Sequence, residues 1–278
     1  MKYSLIAAAL LAYSSVSAAV LVTEGFNYPS GALTGQSGGT GFTAAWALPA
    51  VNTPASAVTF PVVATGLTGS AVPGGVSGGA IEDANGSGAF KNSRAFDATG
   101  LYADGNTIWY SFLATQGIAG NASIRFGTTE AQGQNNGIGM SFNVTNGIRA
   151  AIGGTSTSLV NALALNTTYF IVGKASFSAA ALGDTSQAWV LPATAIPADV
   201  SEASLNALAL HTTLLTGDAI MNTTGNIMYL ASFATSTTTL DEIRVGTTLA
   251  DVVVPEPSTY ALLAGSSIVL LALLRRRK

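Results

Sequence analysis

Residues suited to acid–base or nucleophilic chemistry are scarce in this chain. Its 278 residues include a single histidine, His211, and no cysteine. A Ser–His–Asp triad would have to use His211, and a metal cluster built from histidines is impossible with only one. His211 lies near the end of a predicted helix, so we interpret it as a surface residue and not as a catalytic base.

Paired carboxylates are a second arrangement that could do chemistry, because glycoside hydrolysis uses two of them. The adjacent acidic pairs are Glu82-Asp83 and Asp241-Glu242. Neighbouring residues on a strand point to opposite faces of a sheet, so neither pair is predicted to act together on one substrate. The sequence therefore predicts a protein that is not an enzyme.

Four residues with side-chain oxygens are the candidate ligands of a calcium ion: Asp83, Asn85, Asp97 and Asp104. All four are predicted to lie in loops, and calcium takes several oxygen ligands from carboxylates and loop carbonyls. The alternative is that these side chains are solvated and bind no metal. No other cofactor is predicted.

Three tryptophans, Trp46, Trp109 and Trp189, are the candidate platforms for a sugar ring. Binding of this kind needs an exposed aromatic face beside Asn, Asp or Gly groups that exchange hydrogen bonds with the sugar. The alternative is burial in the core, where large aromatic side chains contribute most to stability.

The elements that must position these residues are short β-strands. Runs of β-branched and aromatic residues, separated by Gly, Asn, Asp and Pro, predict nine of them. They cover residues 57–63, 107–114, 123–127, 139–144, 147–153, 168–178, 186–191, 226–234 and 240–245. Strands without alternating helices predict an all-β fold, a two-sheet antiparallel jelly-roll sandwich.

Two local signals refine this prediction. Asn146-Gly147 between residues 141–144 and 148–151 predicts a hairpin with a primed turn. One helix is predicted over residues 201–210, with Ser201 as its N-cap.

The body of the chain is acidic and carries few charges. Charged residues make up 9% of the sequence, against roughly 25% in typical globular proteins. Five of the 11 basic residues are Lys2 and the last four residues, so the chain between them has six basic and 14 acidic residues, which gives 6 − 14 = −8. This balance argues against nucleic acid as a partner.

The first residues predict a signal peptide. Met1-Lys2 is a minimal basic region, residues 5–12 are apolar, and the small residues that follow place the cleavage between Ala18 and Ala19. The predicted partners are therefore the Sec export machinery and signal peptidase.

The last residues predict a segment that inserts into a membrane. Pro255-Glu256-Pro257 precedes an apolar run from Tyr260 to Leu274, and the cluster Arg275-Arg276-Arg277-Lys278 ends the sequence. The run has about 15 residues, against roughly 20 for a comfortable helical span, and the basic side chains can snorkel. The positive-inside rule keeps the basic cluster in the cytoplasm. An ordinary single-span anchor is the alternative.

This order of Pro-Glu-Pro, apolar helix and basic end resembles the PEP-CTERM sorting signal of exported proteins in Gram-negative bacteria. The resemblance implies processing by an exosortase-type enzyme, transient insertion in the inner membrane, and a final place at the cell surface or outside the cell. The chain then divides into a signal peptide (1–18), a sandwich (19–251) and a sorting tail (252–278).

Several segments of the body resemble the laminin-G/concanavalin A-like domains of such proteins. They are residues 24–28, 35–42 with Trp46, 109–112, 169–174 and 240–248. The resemblance implies a jelly roll whose relatives often bind carbohydrate, and hence a polysaccharide as a possible partner. It carries no binding residue across, because loops diverge freely in this fold.

Two functions remain open at this point. The first is a structural role at the cell surface or in the extracellular matrix, which the scarcity of catalytic groups and the low charge favour. The second is a lectin-like carbohydrate-binding module, with or without calcium, which the resemblance favours.

Overall fold

A computed structural model describes most of the body of the chain. The described residues are 20–49, 57–69, 72, 76, 78–83, 89–118, 121–127, 137–143, 147–153, 155–157, 163–195, 197, 199–218, 227–233 and 237–253. The predicted signal cleavage site at Ala18 and Ala19, the residue Asn85, and the predicted sorting tail from Pro255 to Lys278 lie outside these ranges.

The larger sheet has nine strands within the described ranges. They are β1 (Val22–Glu24), β2 (Gly31–Ala32), β4 (Pro61–Val63), β5 (Ala80–Asp83), β7 (Thr107–Ile118), β12 (Tyr169–Ser176), β13 (Asp184–Pro192), β14 (His211–Gly217) and β16 (Thr237–Gly246). Their order is β14-β13-β12-β7-β16-β5-β4-β2, and β1 also pairs with β16.

The smaller sheet has seven strands within the same ranges. They are β3 (Ala57–Val58), β6 (Ala89–Ala95), β8 (Asn121–Gly127), β9 (Ile138–Asn143), β10 (Gly147–Ile152), β11 (Thr155–Ser156) and β15 (Ile227–Phe233). Their order is β11-β10-β9-β8-β15-β6-β3, and the β3–β6 pair is parallel where the other pairs are antiparallel. The predicted two-sheet antiparallel sandwich is confirmed.

The main core lies between the two sheets. Tyr110 on β7 meets Phe126 on β8 with ring centroids 5.0 Å apart, and both side chains are fully buried. Gly173 on β12 lies opposite Tyr110, and a Cβ there would come within 2.0 Å of the tyrosine ring, so only glycine fits. Burial of each large apolar side chain stabilises the fold by about 1.5–3 kcal/mol.

A second apolar layer covers the outer face of the larger sheet. Two helices contribute to it, α1 (Glu202–Leu208) and α2 (Leu249–Val253), together with side chains between residues 67 and 76. Because both faces of this sheet are buried, its strands are apolar at consecutive positions, as in residues 169–172.

All nine predicted strands occur, but the first of them corresponds to two separate strands. Residues 57–63 form β3 in the smaller sheet and β4 in the larger sheet, because the chain passes from one sheet to the other between them. The strands that the sequence pattern missed are short or polar: β1, β2, β5, β6, β11 and β14.

The helix and the hairpin are confirmed with differences. Ser201 caps α1, since its hydroxyl accepts a hydrogen bond from the Ser204 N–H at 3.1 Å. Strands β9 and β10 form the predicted hairpin, but Gly147 pairs with Asn143, so the connection is longer than the predicted two-residue turn.

Two placements correct the sequence predictions. Asp83 was expected in a loop, but it ends strand β5, pairs with Thr238 and is fully buried, because it faces the space between the sheets. His211 does follow the helix, yet it begins strand β14 and is half-buried, because its backbone pairs with Val190.

Within the described part of the chain, neither helix has the length and apolar character needed to cross a membrane.

Candidate functional site

The three candidate tryptophans are buried and offer no platform for a sugar. Trp46, Trp109 and Trp189 are 1%, 6% and 0% exposed. Trp109 and Trp189 stack at 5.7 Å on the outer face of the larger sheet, where the Trp189 Nε1–H donates to Asn206 Oδ1 on α1 at 2.7 Å. The core alternative therefore holds for all three.

The candidate calcium ligands do not converge. Asp97 is exposed and accepts two hydrogen bonds from Thr99, which lower the pKa of its carboxyl group. Asp104 is exposed in the same loop, whereas Asp83 is buried between the sheets. Across the described residues, no three His, Asp or Glu side chains lie close enough together to hold a metal ion.

A shallow polar hollow of about 320 Å³ lies beside the loop that carries Asp104. Its lining is Leu101, Gly105, Asn106, Thr107 and Thr247. None of these side chains titrates, so the hollow supplies neither an acid–base pair nor a charged metal ligand.

Glu24 holds a buried polar cluster with four hydrogen-bond partners. Its Oε2 accepts hydrogen bonds from the Tyr28 hydroxyl at 2.6 Å, Trp46 Nε1 at 3.0 Å and an Arg94 NH1 at 2.8 Å, and its Oε1 accepts from the Phe26 N–H at 3.0 Å. Burial and the bond to Glu24 raise the pKa of Tyr28. Trp46 and Arg94 are buried and Tyr28 is half-buried, so the cluster joins β1 to β6 in a structural role.

Arg94 is enclosed on its other sides as well. Its Nε–H donates to the Ala44 carbonyl at 2.7 Å, and its guanidinium lies 3.8 Å from the centre of the Phe42 ring. Arg94 therefore holds the loop that contains residues 42–46 against the smaller sheet, which is a structural role.

Asp241 and Glu242 occupy a β-bulge where β16 changes partner. The register shifts between Asp241 and Arg244, and Glu242 has φ 51°. Strict alternation of the two carboxyl groups, which the sequence predicted, therefore fails at this point. The Asp241 carboxylate accepts from the Leu67 N–H at 2.8 Å, and burial raises its pKa to about 8. It lies beneath residue 67 and not in an open cleft.

The outer face of the smaller sheet differs from all of these places. Its central positions carry three basic side chains among small polar ones and one tyrosine. We call this set the cationic face: Lys91, Ser93, Ser123, Arg125, Ser141, Arg149, Tyr229 and Ala231. Its strands turn the opposite side chains, such as Ile124 and Met140, into the core.

Strand register places the three cations on one face of the sheet. One row across the sheet runs Arg149, Ser141, Ser123, Ala231, Lys91. The neighbouring row contains Arg125 and Tyr229 side by side. Arg125, Ser141 and Arg149 are half-buried, whereas the other five residues of the face are buried: Lys91, Ser93, Ser123, Tyr229 and Ala231.

Burial changes the pKa values of two cations on this face. Burial lowers the pKa of Lys91 and of Arg125, because removal of water disfavours the charged form. The Nε–H of Arg149 is buried and has no hydrogen-bond partner in the structure. A buried donor left unsatisfied costs about 1–3 kcal/mol.

In the sequence these three cations entered only the net charge of the body, and their common face was not predicted. A signal existed in Ile124-Arg125-Phe126 and Ile148-Arg149-Ala150, where a basic side chain alternates with apolar ones and must point away from the core. The alignment of the three strands could not be read from that pattern.

Comparison with known proteins gives no family. No family model matches the chain, and no curated protein matches it. Solved structures that resemble it include a peanut lectin bound to a nine-residue peptide (TM-score 0.41, 9% identity, 64% of this chain and 88% of the lectin). The globular domain of T. cruzi calreticulin gives a TM-score of 0.46 at 10% identity, over 94% of this chain and 100% of that domain.

A xylan-binding domain from Paenibacillus barcinonensis gives a TM-score of 0.36 at 9% identity, over 84% of this chain and 98% of that domain. All three TM-scores lie below 0.5, so these likenesses transfer neither a ligand nor an activity to this chain.

Proposed function

We propose that the sandwich is a non-catalytic carbohydrate-binding module of the jelly-roll, concanavalin A-like type, and that the half-buried part of the cationic face is its binding surface. The observation that carries the proposal is the chemistry of that part. Ser141, Arg125 and Arg149 lie in the middle of the smaller sheet, whereas the larger sheet carries a second apolar layer on its outer face. Such groups can exchange hydrogen bonds with sugar hydroxyls.

Carbohydrate binding accounts for the side chains of this face better than a purely structural matrix role does. A structural sheet of this size would be expected to bury its second face under apolar side chains or to cover it with mixed charges. The cationic face is largely buried as well, but its central side chains are small, polar or basic instead of large and apolar.

The experiment is a glycan array probed with the full chain, in calcium and in a calcium chelator. Ser141→Trp would fill the half-buried centre of the cationic face and should abolish binding. Leu182→Trp, at a 69% exposed turn, is the matched control and should bind as the wild type does. No binding by the wild type to any glycan would return the structural matrix role to first place.

The two conditions of the array also test the calcium proposal. Binding that needs calcium would point to the loop acids Asp97 and Asp104 as ligands, in addition to the cationic face. Release of sugar fragments from a bound polysaccharide would contradict the non-catalytic part of the proposal.

We further propose that the module is exported and sorted as its ends suggest. Signal peptidase would cut between Ala18 and Ala19, and an exosortase-type enzyme would process the tail near Pro255-Glu256-Pro257. The protein would then leave the inner membrane for the cell surface. Mass spectrometry of the surface-exposed protein in its native host should find the Arg275–Lys278 end removed, and its presence there would refute processing.

A further inference from the structure

The strands at the sides of the two sheets differ in length. Within the described ranges, β2, β3 and β11 end three of the four sides with two residues each, and β1, which pairs with β16 outside the main order, has three. The fourth side ends in β14, which has seven residues. A long edge strand offers N–H and C=O groups to a further strand, and a very short one does not. Strand β14 is therefore the exception among the edges.

The open side of β14 is regular. The strand pairs with β13 at seven consecutive positions without a register shift. In the described part of the chain no strand pairs with its other side, and Thr212 to Thr216 make no backbone hydrogen bonds beyond the ladder with β13. Strand β14 also contains no proline, lysine or acidic residue, which are the residues that commonly block pairing at an edge. Its open side can therefore accept another strand.

The surroundings of β14 are uncharged and partly apolar. Residues 203–217 include no Lys, Arg, Asp or Glu, although the body of the chain is acidic. Leu214, at the centre of the strand, is 55% exposed, and Leu210, just before the strand, is 49% exposed. A second acidic molecule can approach this edge without like charges facing each other. Exposed leucines on an open strand favour a protein as the partner.

The outward side chains of β14 read the same in both directions. Thr212, Leu214 and Thr216 are exposed, and they lie on the outer face of the larger sheet because Thr212 pairs with the outward-pointing Trp189. Two antiparallel copies of the strand centred on Leu214 would place this leucine beside its own copy and each Thr212 beside a Thr216. A two-fold interface requires such self-complementarity, and both kinds of pair are favourable across an antiparallel ladder.

We propose that β14 is the contact surface for a second copy of this chain, and that the two copies pair antiparallel about a two-fold axis at Leu214. The two larger sheets would then form one continuous sheet. The axis between two antiparallel strands is perpendicular to the sheet, so the outer faces of both larger sheets would point to the same side. Both cationic faces would point to the opposite side. This inference does not depend on the carbohydrate-binding proposal.

The expected dimer is weak and depends on concentration. Seven residues at about 3.3 Å each give a contact roughly 23 Å long. One pair of strands of this length buries less surface than the roughly 1,200–2,000 Å² of stable protein interfaces. We therefore expect monomers on dilution and dimers at high protein concentration.

The first test is sedimentation velocity of the full chain at increasing concentration, in a mild detergent that solubilises the apolar run 260–274. Leu214→Lys would place two ammonium groups opposite each other and should raise the dissociation constant of the dimer by about tenfold or more. Val58→Lys is the matched control, because it changes a 47% exposed side chain on the two-residue strand β3, and it should dimerise as the wild type does. Thermal unfolding of each variant checks that the fold is intact.

The second test measures the register of the two strands. The chain has no cysteine, so Leu214→Cys introduces a single thiol. Directly opposed residues of antiparallel strands have Cα atoms about 4.5–5.5 Å apart, which is within the range of a disulfide. With copper–phenanthroline as the oxidant, Leu214→Cys should form a disulfide-linked dimer. Val58→Cys should form one much more slowly under the same conditions.

Three results would overturn the proposal. The first is a wild type that stays monomeric at every concentration, with cross-linking at position 214 no faster than at position 58. The second is a dimer that persists in Leu214→Lys, because its contact would lie elsewhere on the chain. The third is an assembly whose mass keeps growing with concentration, because β14 would then pair head-to-tail with a different strand. Glycan binding is measured separately by the array, so either proposal can fail alone.

Discussion

The two sheets share one core, but the side chains on their outer faces differ in kind. On the larger sheet, Trp109, Phe170, Val172 and Trp189 point outward and are covered by helices α1 and α2. On the smaller sheet, the outward positions hold serine, arginine, lysine and a tyrosine. The comparison teaches that the inner faces make this fold, while one outer face is covered by apolar side chains and the other carries polar and basic ones.

The cover of the larger sheet is held by specific contacts. Leu205 of α1 is fully buried, and the Lys174 ammonium lies 2.6 Å from a Glu202 carboxylate oxygen and 5.3 Å from the centre of the Trp109 ring. Among the described residues, no apolar cluster of this kind lies on the outer face of the smaller sheet. Substitutions on the covered face should therefore change stability, and those on the cationic face should change binding.

The largest effect expected is that of Trp189→Ala on the covered face. The substitution removes a fully buried ring, its stack on Trp109 and its hydrogen bond to Asn206. Loss of a buried large aromatic costs about 3–5 kcal/mol, so the free energy of unfolding in urea should fall by that amount. A loss below about 1 kcal/mol would mean that α1 and the tryptophan pair contribute little to the fold.

The next effect is a pH dependence that comes from Asp241 on the covered face. Its pKa is about 8 in the folded protein, whereas an unfolded aspartate titrates near 4. Between these values the folded state holds one more proton than the unfolded state, so stability falls as pH rises, by a few kcal/mol over the whole window. Below about pH 4 both states are protonated and the contribution is fully present.

Asp241→Asn supplies the control for this pH dependence. Asparagine does not titrate, so urea unfolding of the variant at pH 4, 6 and 8 should lack the decline seen in the wild type. The same decline in both proteins would assign it to another group.

A smaller effect is expected at the edge of the covered face. Lys174 and Glu202 form a partly exposed ion pair, and such pairs contribute about 0–1 kcal/mol. Glu202→Gln should therefore lower the free energy of unfolding by less than about 1 kcal/mol and lose its effect at high salt. A much larger loss would show that α1 depends on this pair more than on Leu205.

The smallest effect on stability is expected on the cationic face itself. Ser141→Asn and Arg149→Gln alter half-buried side chains outside the apolar layers, so each should change the unfolding free energy by no more than about 0.5 kcal/mol. Chemical denaturation of both variants checks this. A loss comparable to that of Trp189→Ala would make the face structural and remove the contrast between the sheets.

The sequence predicted the fold class and most strands because alternation and turn residues are local signals. It missed β6 because that strand is polar on both faces, and the inward Asn92 and Arg94 find their partners more than 30 residues away. It also missed the bulge in β16. Leu240 and Ile243 both face the core although they are three positions apart, which requires one extra residue between them.

The cationic face was beyond the sequence for a related reason. Lys91, Arg125 and Arg149 are separated by 34 and 24 positions, and only the register of four strand pairs aligns them. For the three tryptophans the error is the reverse: the sequence suggested binding residues, but the side chains are buried. A tryptophan on an apolar strand suggests a sugar platform, but here a second layer covers the sheet.

Helix α2 determines the face of the sandwich from which the chain continues towards its C-terminus. The Ser111 hydroxyl on β7 donates to the Val252 carbonyl at 2.9 Å, and the Asp251 carboxylate accepts from the N–H groups of Thr247 and Thr248 at 2.8 Å. The chain therefore leaves the sandwich on the covered face. Six residues lie between Val253 and Tyr260, and such a linker can span about 20 Å at most. A membrane that held the proposed tail would therefore lie on the covered side of the sandwich, opposite the cationic face.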